Sequence, residues 1–255
     1  MMFRVPTPNC GILHERSSRF RAPTLQKPDR VNNLAARTIV GFVQLFVSLG
    51  VLLFAPAWTL DFWQAWAYLA VFFASAALIS AYLWKNDRKL LERRVTTGPR
   101  AETSRYQRLI QIFASLVFMG MFAVASLDHR FAWSTMPFAI VIAGDVLVML
   151  GFLIVFRVFK ENSFASGTIE VTSSQRVISS GPYAVVRHPM YSGGLIMLFG
   201  TAPALGSWWA LVPFAALKII IVLRLLDEEA FLSQHLPGYA EYCKRVRFRL
   251  LPGVW

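Results

Sequence analysis

The sequence predicts an all-α protein, a polytopic helical bundle embedded in a membrane, and two observations carry that prediction. The first is composition: 56% of the 255 residues are hydrophobic and only 16% are charged. The second is that apolar residues form long runs, many of roughly the 20 residues that one membrane-crossing helix needs. Soluble proteins are about 45–50% apolar and about 25% charged, so the composition argues against a soluble or disordered chain.

Hydropathy divides the chain into six expected spans, joined by short polar connections. They cover residues 38–56, 62–84, 109–127, 135–156, 191–205 and 208–226. Gly206 and Ser207, between the last two, favour a tight reversal because glycine adopts the backbone conformations of a turn. We therefore expect the last two spans to form a helical hairpin packed against the others.

The net charge of +12 is explained by topology rather than by a nucleic-acid partner, which we do not expect. Basic residues cluster in alternate segments, with seven in 1–37, eight in 85–108, four in 157–187 and five from Arg224 onward. The intervening connections carry only Asp61, Asp128 and Arg130. This positive-inside pattern predicts a multi-pass integral membrane protein with both termini in the cytoplasm, in the inner membrane if the source is bacterial.

Three regions follow from this reading. Residues 1–37 are expected to be a flexible basic cytosolic tail without a signal-peptide core, residues 38–156 a four-span membrane region, and residues 157–255 the region that carries the chemistry. Cys10 and Cys243 both fall on the cytosolic side, where a disulfide is not expected. Neither cysteine has metal-ligand spacing, so no metal site is predicted.

Polar residues concentrate in the last region, between residues 162 and 191. Ser180-Gly181-Pro182 marks a turn, and Pro189 favours the first position of a helix, where its missing N–H costs nothing. The unpaired N–H groups at such a helix start, beside Arg187 and His188, suit a ligand carboxylate or phosphate.

A second polar cluster, RLLDEEAFL, ends the last span at residues 224–232. Arg224 and Glu228 are four residues apart and share one helix face, whereas Glu229 lies about 100° round. A lone charged side chain at a helix end usually extends to water. Because this cluster lies on the same side of the membrane as Arg187 and His188, we expect the two clusters to converge on one site.

The order of these pieces resembles the isoprenylcysteine carboxyl methyltransferase family and, more widely, the membrane methyltransferases that include phospholipid methyltransferases. The resemblance covers roughly residues 160–255 and rests on SSGPYAVVRHPMYSGG, on RLLDEEAFL and on PGYAEYCKRVRFRLLPGVW. Its most specific part is the pairing of the box His188-Pro189-Met190-Tyr191 with the glutamates after the next span. Upstream of residue 160, the spans are generic.

The resemblance implies S-adenosylmethionine as cofactor and a lipophilic or prenylated methyl acceptor that enters from the bilayer. The implied cofactor-binding residues are Gln175, Arg176, Val177, Ile178, Tyr183, His188, Pro189, Met190, Tyr191 and Glu228, with a further contact near Thr168 left unassigned. The implied catalytic residues are Arg224, which would hold an acceptor carboxylate, and His188. A thiol or amine acceptor needs a base, for which His188 or a glutamate is the candidate. O-, N- and S-methylation stay open, as does the oligomeric state.

Two other functions compete with this one. Sterol and steroid reductases share a similar C-terminal hairpin and bind NADPH, but the glutamates of RLLDEE would repel its 2′-phosphate. The other is a non-catalytic membrane protein whose polar cluster only caps the hairpin.

Two features of the spans give structural expectations. Asp145 and Lys218 lie near mid-membrane in the fourth and sixth spans, and we hypothesise that they form an ion pair, since lone charges there are costly. Gly144 and Gly151, seven residues apart, are expected to mark a helix-packing face.

Overall fold

The computed structural model describes residues 28–95, 105–165 and 176–255, with side chains from residue 33 onward, and these ranges are all-helical. The α-helices are α1 (Pro28–Ala57), α2 (Trp63–Asn86), α3 (Arg88–Val95), α4 (Arg105–Phe131), α5 (Phe138–Glu161), α6 (Pro189–Ala204), α7 (Leu211–His235) and α8 (Tyr239–Arg245). A short 3₁₀ helix, Gly181–Ala184, precedes α6. The predicted all-α membrane bundle is confirmed.

Within the described ranges, four helices are long and apolar enough to cross a membrane. They are Asn33–Ala57 of α1, together with α2, α4 and α5. The 16 residues of α6 extend about 24 Å, which is less than the roughly 30 Å of a bilayer core. The longer α7 carries Lys218 and, in its second half, Arg224, Asp227, Glu228 and Glu229. Six crossings and the orientation of the termini therefore stay predictions.

The predicted boundary of the N-terminal tail, residue 37, falls inside a helix. α1 already begins at Pro28, about two and a half turns earlier, because the polar residues from Asp29 to Arg37 continue the helix beyond its apolar part. Residues 1–27 lie outside the described residues.

Glycines bring α5 and α6 into very close contact. A Cβ added at Gly151 would lie 2.6 Å from the carbonyl oxygen of Gly193 and 2.6 Å from Cβ of Met197. Gly144 makes the same kind of approach to the backbone of Ala204. Side chains on these glycines would push the helices apart, so the predicted packing face is confirmed.

The α6–α7 hairpin turns at Gly206, whose φ of +73° is the left-handed conformation that glycine favours. The turn is fastened by Asp128, a buried residue near the end of α4. Its carboxylate accepts hydrogen bonds from the Ser207 hydroxyl, from the Ser134 hydroxyl at 2.7 Å and from the Ser134 backbone N–H at 2.7 Å. Asp128 thereby joins the α4–α5 and α6–α7 connections at one end of the bundle.

The hypothesis of an Asp145–Lys218 ion pair is wrong. Asp145 is 5% exposed, and its Oδ1 has no hydrogen-bond partner, whereas Lys218 is exposed on α7. The reason is helix arrangement: α5 packs mainly on α6 and α2, while α7 packs on α4 and α6. Matching depth in two spans does not make them neighbours.

Candidate functional site

A cavity lies at the end of the bundle opposite Asp128, where α6 begins and α7 ends. Its volume is about 110 Å³, and about 810 Å³ when the space of its open mouth is included. Its walls come from the segment after α5, the 3₁₀ helix, the start of α6, the end of α7, and α8.

Nine of the ten predicted cofactor-binding residues line this one cavity: Arg176, Val177, Ile178, Tyr183, His188, Pro189, Met190, Tyr191 and Glu228. The tenth, Gln175, lies outside the described residues, as does Thr168. The predicted convergence of the two polar clusters is therefore a feature of the structure, although their roles in binding stay predictions.

The start of α6 is held by the C-terminal segment of the described chain. Pro189 is the first residue of α6, as predicted. The backbone N–H of Arg187 donates to the carbonyl of Phe248 at 2.9 Å, and that of His188 donates to the carbonyl of Arg249 at 3.0 Å. The Ser192 hydroxyl donates to the carbonyl of Leu250 at 2.7 Å. These bonds fix the position from which His188 enters the wall.

Glu229 is the charged centre behind the wall. One carboxylate oxygen, Oε1, lies 3.1 Å from Nε2 of His188 and 3.0 Å from Nε of Arg187. The other, Oε2, accepts a hydrogen bond from Nε of Arg249 at 2.8 Å. The Arg187 contact is an ion pair without an aligned N–H···O hydrogen bond. With Glu229 only 8% exposed, this group ties α7 to both the start of α6 and the C-terminal segment.

The electrostatics of Glu229 follow from these contacts. Burial raises the pKa of its carboxyl, but the hydrogen bonds from His188 and Arg249 and the charge of Arg187 outweigh burial. The net effect is a pKa below the usual value for glutamate, so the side chain is a carboxylate at neutral pH.

The side chains beside the start of α6 are engaged within the protein. Arg187 and His188 both line the cavity, and both contact the protein's own Glu229. The anion site expected at the N–H groups of the helix start stays a prediction. The sequence places Glu229 on a different helix face from Glu228, which is correct, but it does not show that α7 turns that face towards the start of α6.

Glu228 faces the cavity itself. Its Oε2 accepts a hydrogen bond from the Tyr191 hydroxyl at 2.7 Å. The guanidinium of Arg224 also interacts with Tyr191 and donates to Oε1 of Gln107 on α4 at 2.9 Å. Gln107 in turn donates to Asp227. Arg224 therefore stands behind Tyr191, in a polar network that links α7, α6 and α4.

Tyrosines form the rest of the polar wall. The Tyr183 hydroxyl accepts a hydrogen bond from Nδ2 of Asn162 at 2.8 Å, and the Tyr242 hydroxyl donates to the Tyr183 carbonyl at 2.8 Å. Burial, opposed in part by the Asn162 bond and aided by the charge of Glu228, raises the pKa of Tyr183 to about 12. These hydroxyls are therefore neutral hydrogen-bonding groups at physiological pH.

Several lining residues are absent from the sequence prediction: Asn162, Phe164, Ala165, Leu232, Leu236, Tyr239 and Tyr242. Helical spacing could have found Leu232, since it follows Glu228 by four residues on α7. Tyr239 and Tyr242 reach the cavity because Gly238, with a φ of +81°, reverses the chain into α8. Among the described residues, no group of acidic, histidine and cysteine side chains is arranged to hold a metal ion.

Comparisons with known proteins cover this part of the chain. Residues 139–237 match the model of a family described as phospholipid methyltransferase. A stretch of 91 residues is 33% identical to the Delta(14)-sterol reductase of Mus musculus, covering 34% of this chain and 22% of that reductase. The chain thus matches well under half the length of this curated relative.

The family match includes both the His188–Tyr191 box and Glu228. The broader resemblance to membrane methyltransferases is confirmed for residues 139–237. The narrower resemblance to isoprenylcysteine carboxyl methyltransferases stays a prediction, and so do the cofactor and the acceptor.

Proposed function

We propose that the protein is an integral membrane methyltransferase that binds S-adenosylmethionine in the cavity and methylates a lipophilic acceptor. One observation carries the proposal: within the segment that matches phospholipid methyltransferases, the His188–Tyr191 box and Glu228 line the same cavity. A carboxyl group on a prenylated cysteine, a lipid amine and a lipid thiol are the candidate acceptor groups.

The chemistry of the wall fits this cofactor, which combines a carboxylate, an amine, a sulfonium and an adenine. Arg176 offers a cation for the carboxylate, because Arg187 is engaged by Glu229. Glu228 offers a carboxylate for the amine or the ribose hydroxyls. The rings of Tyr183 and Tyr239 offer faces for the adenine or the sulfonium.

When bound, S-adenosylmethionine would supply a methyl group on a positively charged sulfur, and this sulfur would keep the electron pair of the S–CH₃ bond once the acceptor had taken the methyl group. The protein's contribution is alignment and exclusion of water. Glu229 and the C-terminal segment hold His188 in place, and Tyr191 is held between Glu228 and Arg224. A carboxylate acceptor needs no base, and Arg224 is the residue that we propose orients it.

The test is calorimetric titration of the detergent-purified full chain with S-adenosylhomocysteine and, separately, NADPH. We expect S-adenosylhomocysteine to bind, His188→Ala and Glu228→Ala to abolish binding, and Arg224→Ala to preserve binding while losing turnover. Glu241→Ala is the matched control, because Glu241 is an exposed carboxylate on α8. Normal binding by Glu228→Ala would show that the cofactor lies elsewhere.

A second candidate function is an NADPH-dependent reductase, favoured by the 33% identity with the sterol reductase. Against it, Glu228 on the wall opposes the phosphates of a dinucleotide. Binding of NADPH without S-adenosylhomocysteine would establish this function and exclude the methyltransferase.

A further inference from the structure

Residues 248–255 form a compact loop that is fastened to the start of α6. Three consecutive backbone N–H groups, those of residues 249–251, donate to the carbonyl oxygen of Trp255 at 2.8, 2.9 and 3.2 Å. The carbonyl of Leu250 accepts a hydrogen bond from the hydroxyl of Ser192, in the first turn of α6, at 2.7 Å. The loop therefore has a defined shape and a defined height relative to α6.

That height follows from the contact between α6 and α5. A Cβ added at Gly193, which follows Ser192, would lie 2.9 Å from the carbonyl oxygen of Gly151 and 3.1 Å from Cβ of Ile154. α5 is long and apolar enough to cross a membrane, and the first charged residue of its second half is Arg157. Ile154 and Gly151 precede Arg157 by about 4.5 and 9 Å along the helix. The loop thus lies near the boundary between the hydrocarbon core and the lipid head groups.

At this height the loop leaves three apolar side chains uncovered. We call them the apolar tip, and their exposed fractions are 52% for Leu251, 75% for Val254 and 37% for Trp255. The guanidinium of Arg249 lies 5.1 Å from the centre of the Trp255 ring. Apolar side chains gain free energy when they leave water, and tryptophan is enriched at the head-group level of membranes. The tip is therefore suited to the membrane surface.

Cations stand beside the apolar tip. The basic flank consists of three exposed side chains at the end of α8 and just after it, Lys244, Arg245 and Arg247. In the part of the chain that the structure describes, no carboxylate lies within ion-pair distance of them. Within residues 239–255, the one acidic residue is Glu241, and Arg249 is engaged by Glu229. The three cations against Glu241 leave a surplus of two positive charges, which complements an anionic lipid surface.

We propose that the apolar tip is inserted into the membrane surface and that the basic flank binds anionic lipid head groups of the same leaflet. The inference uses neither the cofactor nor methyl transfer, so it goes beyond the proposed function. The carbonyls of Phe248 and Arg249 in this loop hold the backbone of Arg187 and His188. The lipid surface thereby becomes part of the support of the cavity wall.

The test places a single fluorescent label on the full chain in reconstituted bilayers. The two native cysteines, Cys10 and Cys243, are replaced by serine, and a nitrobenzoxadiazole label is attached to the variant Val254→Cys. Leu78→Cys, at a position 72% exposed on α2, is the reference for contact with lipid. Glu241→Cys, at an exposed position of α8, is the reference for contact with water. Quenching is measured with iodide in the water and with nitroxides on lipid acyl chains.

We expect the label at position 254 to be quenched by the lipid nitroxides and shielded from iodide, as at position 78 and unlike position 241. Bilayers of phosphatidylcholine and phosphatidylglycerol, with the nitroxide on one lipid or the other, measure the choice of head group. Each cation in contact should favour phosphatidylglycerol by about fivefold. Position 254 should show this preference and position 78 should not. Replacing all three residues of the basic flank by glutamine should abolish it.

Iodide quenching at position 254 equal to that at position 241 would overturn the proposal. Shielding from both quenchers would overturn it as well, because a second copy of the chain would then cover the tip. Equal quenching by the two lipids, or a preference that survives the triple glutamine replacement, would overturn the assignment of anionic head groups. If Val254→Cys gives no cooperative melting transition, the same measurements on Leu251→Cys decide.

Discussion

Replacement of Glu229 by glutamine is the most informative perturbation of the site architecture. The change keeps the shape of the side chain and removes its charge, while Arg187, His188 and Arg249 remain around it. Those groups lie 3.0, 3.1 and 2.8 Å from the carboxylate oxygens, and Glu229 is 8% exposed. The amide group of glutamine would also place N–H donors against cationic donors.

The expected cost follows from this geometry. Removing one partner from a buried ion pair typically costs about 3–5 kcal/mol. Because the Arg249 side chain is 32% exposed, solvent screens its share, and we take the lower end, about 3 kcal/mol. At about 2–4 °C per kcal/mol for a chain of roughly this size, Tm should fall by roughly 6–12 °C.

The assay is tryptophan-fluorescence melting of the detergent-purified protein at neutral pH, with Glu228→Gln as the matched control. Glu228 accepts one tyrosine hydroxyl bond, whose loss should cost only about 1 kcal/mol. A Glu229→Gln Tm within about 2 °C of the wild type, or a smaller fall than for Glu228→Gln, would refute the view that Glu229 holds the site together.

Three further predictions concern pH and packing. Because the pKa of Glu229 is lowered in the folded state, its carboxylate stabilises the fold fully above the usual glutamate pKa of about 4.3, and this stabilisation is lost as pH falls through the lower folded-state pKa. In a melting series at acid pH, Tm should therefore fall more steeply for the wild type than for Glu229→Gln. Parallel curves for the two proteins would contradict this. Gly151→Ala should destabilise the protein by about 1–3 kcal/mol, because its Cβ would lie 2.6 Å from a backbone atom. Gly120→Ala is the control and should not destabilise, because its Cβ would have no neighbour within 4 Å. Equal melting temperatures for the two variants would count against the tight α5–α6 contact. Asp128→Ala leaves two serine hydroxyls without their acceptor and should lower the free energy of unfolding by about 2–3 kcal/mol. Calorimetry should find S-adenosylhomocysteine affinity unchanged, since Asp128 lies at the far end of the bundle. A large loss of affinity would contradict that separation.

Much of the fold could be predicted because membrane-spanning helices are recognisable in a sequence as long apolar runs. α4 contains its whole predicted span, α2 and α5 contain all but the first one and the first three residues of theirs, and the hairpin turn at Gly206 follows from glycine alone. α3 was not predicted, since its eight residues are mostly charged. Its two adjacent leucines, Leu90 and Leu91, are buried because they pack on the surface of α5, and the sequence does not show that contact.

The candidate site could be predicted where its residues are close in sequence, as in His188–Tyr191, or are repeated on one helix face, as in Arg224 and Glu228. Contacts between segments that are distant in the sequence could not be predicted. Arg249 reaches Glu229 only because the chain folds back over the start of α6, and Arg94 reaches Met190 from 96 residues away. The failed Asp145–Lys218 pair has the same cause, since sequence gives depth in the membrane but not which helices are neighbours.

Photolabelling tests the central claim, that S-adenosylmethionine binds in this cavity, most directly. The purified protein is irradiated with methyl-labelled S-adenosylmethionine, digested with trypsin and mapped by mass spectrometry. We predict label in the peptides spanning residues 177–187, 188–218 or 225–244, which carry the cavity wall, and its loss when excess S-adenosylhomocysteine is present. Label confined to α1, α2 or α4, or label displaced by NADPH and not by S-adenosylhomocysteine, would contradict the account.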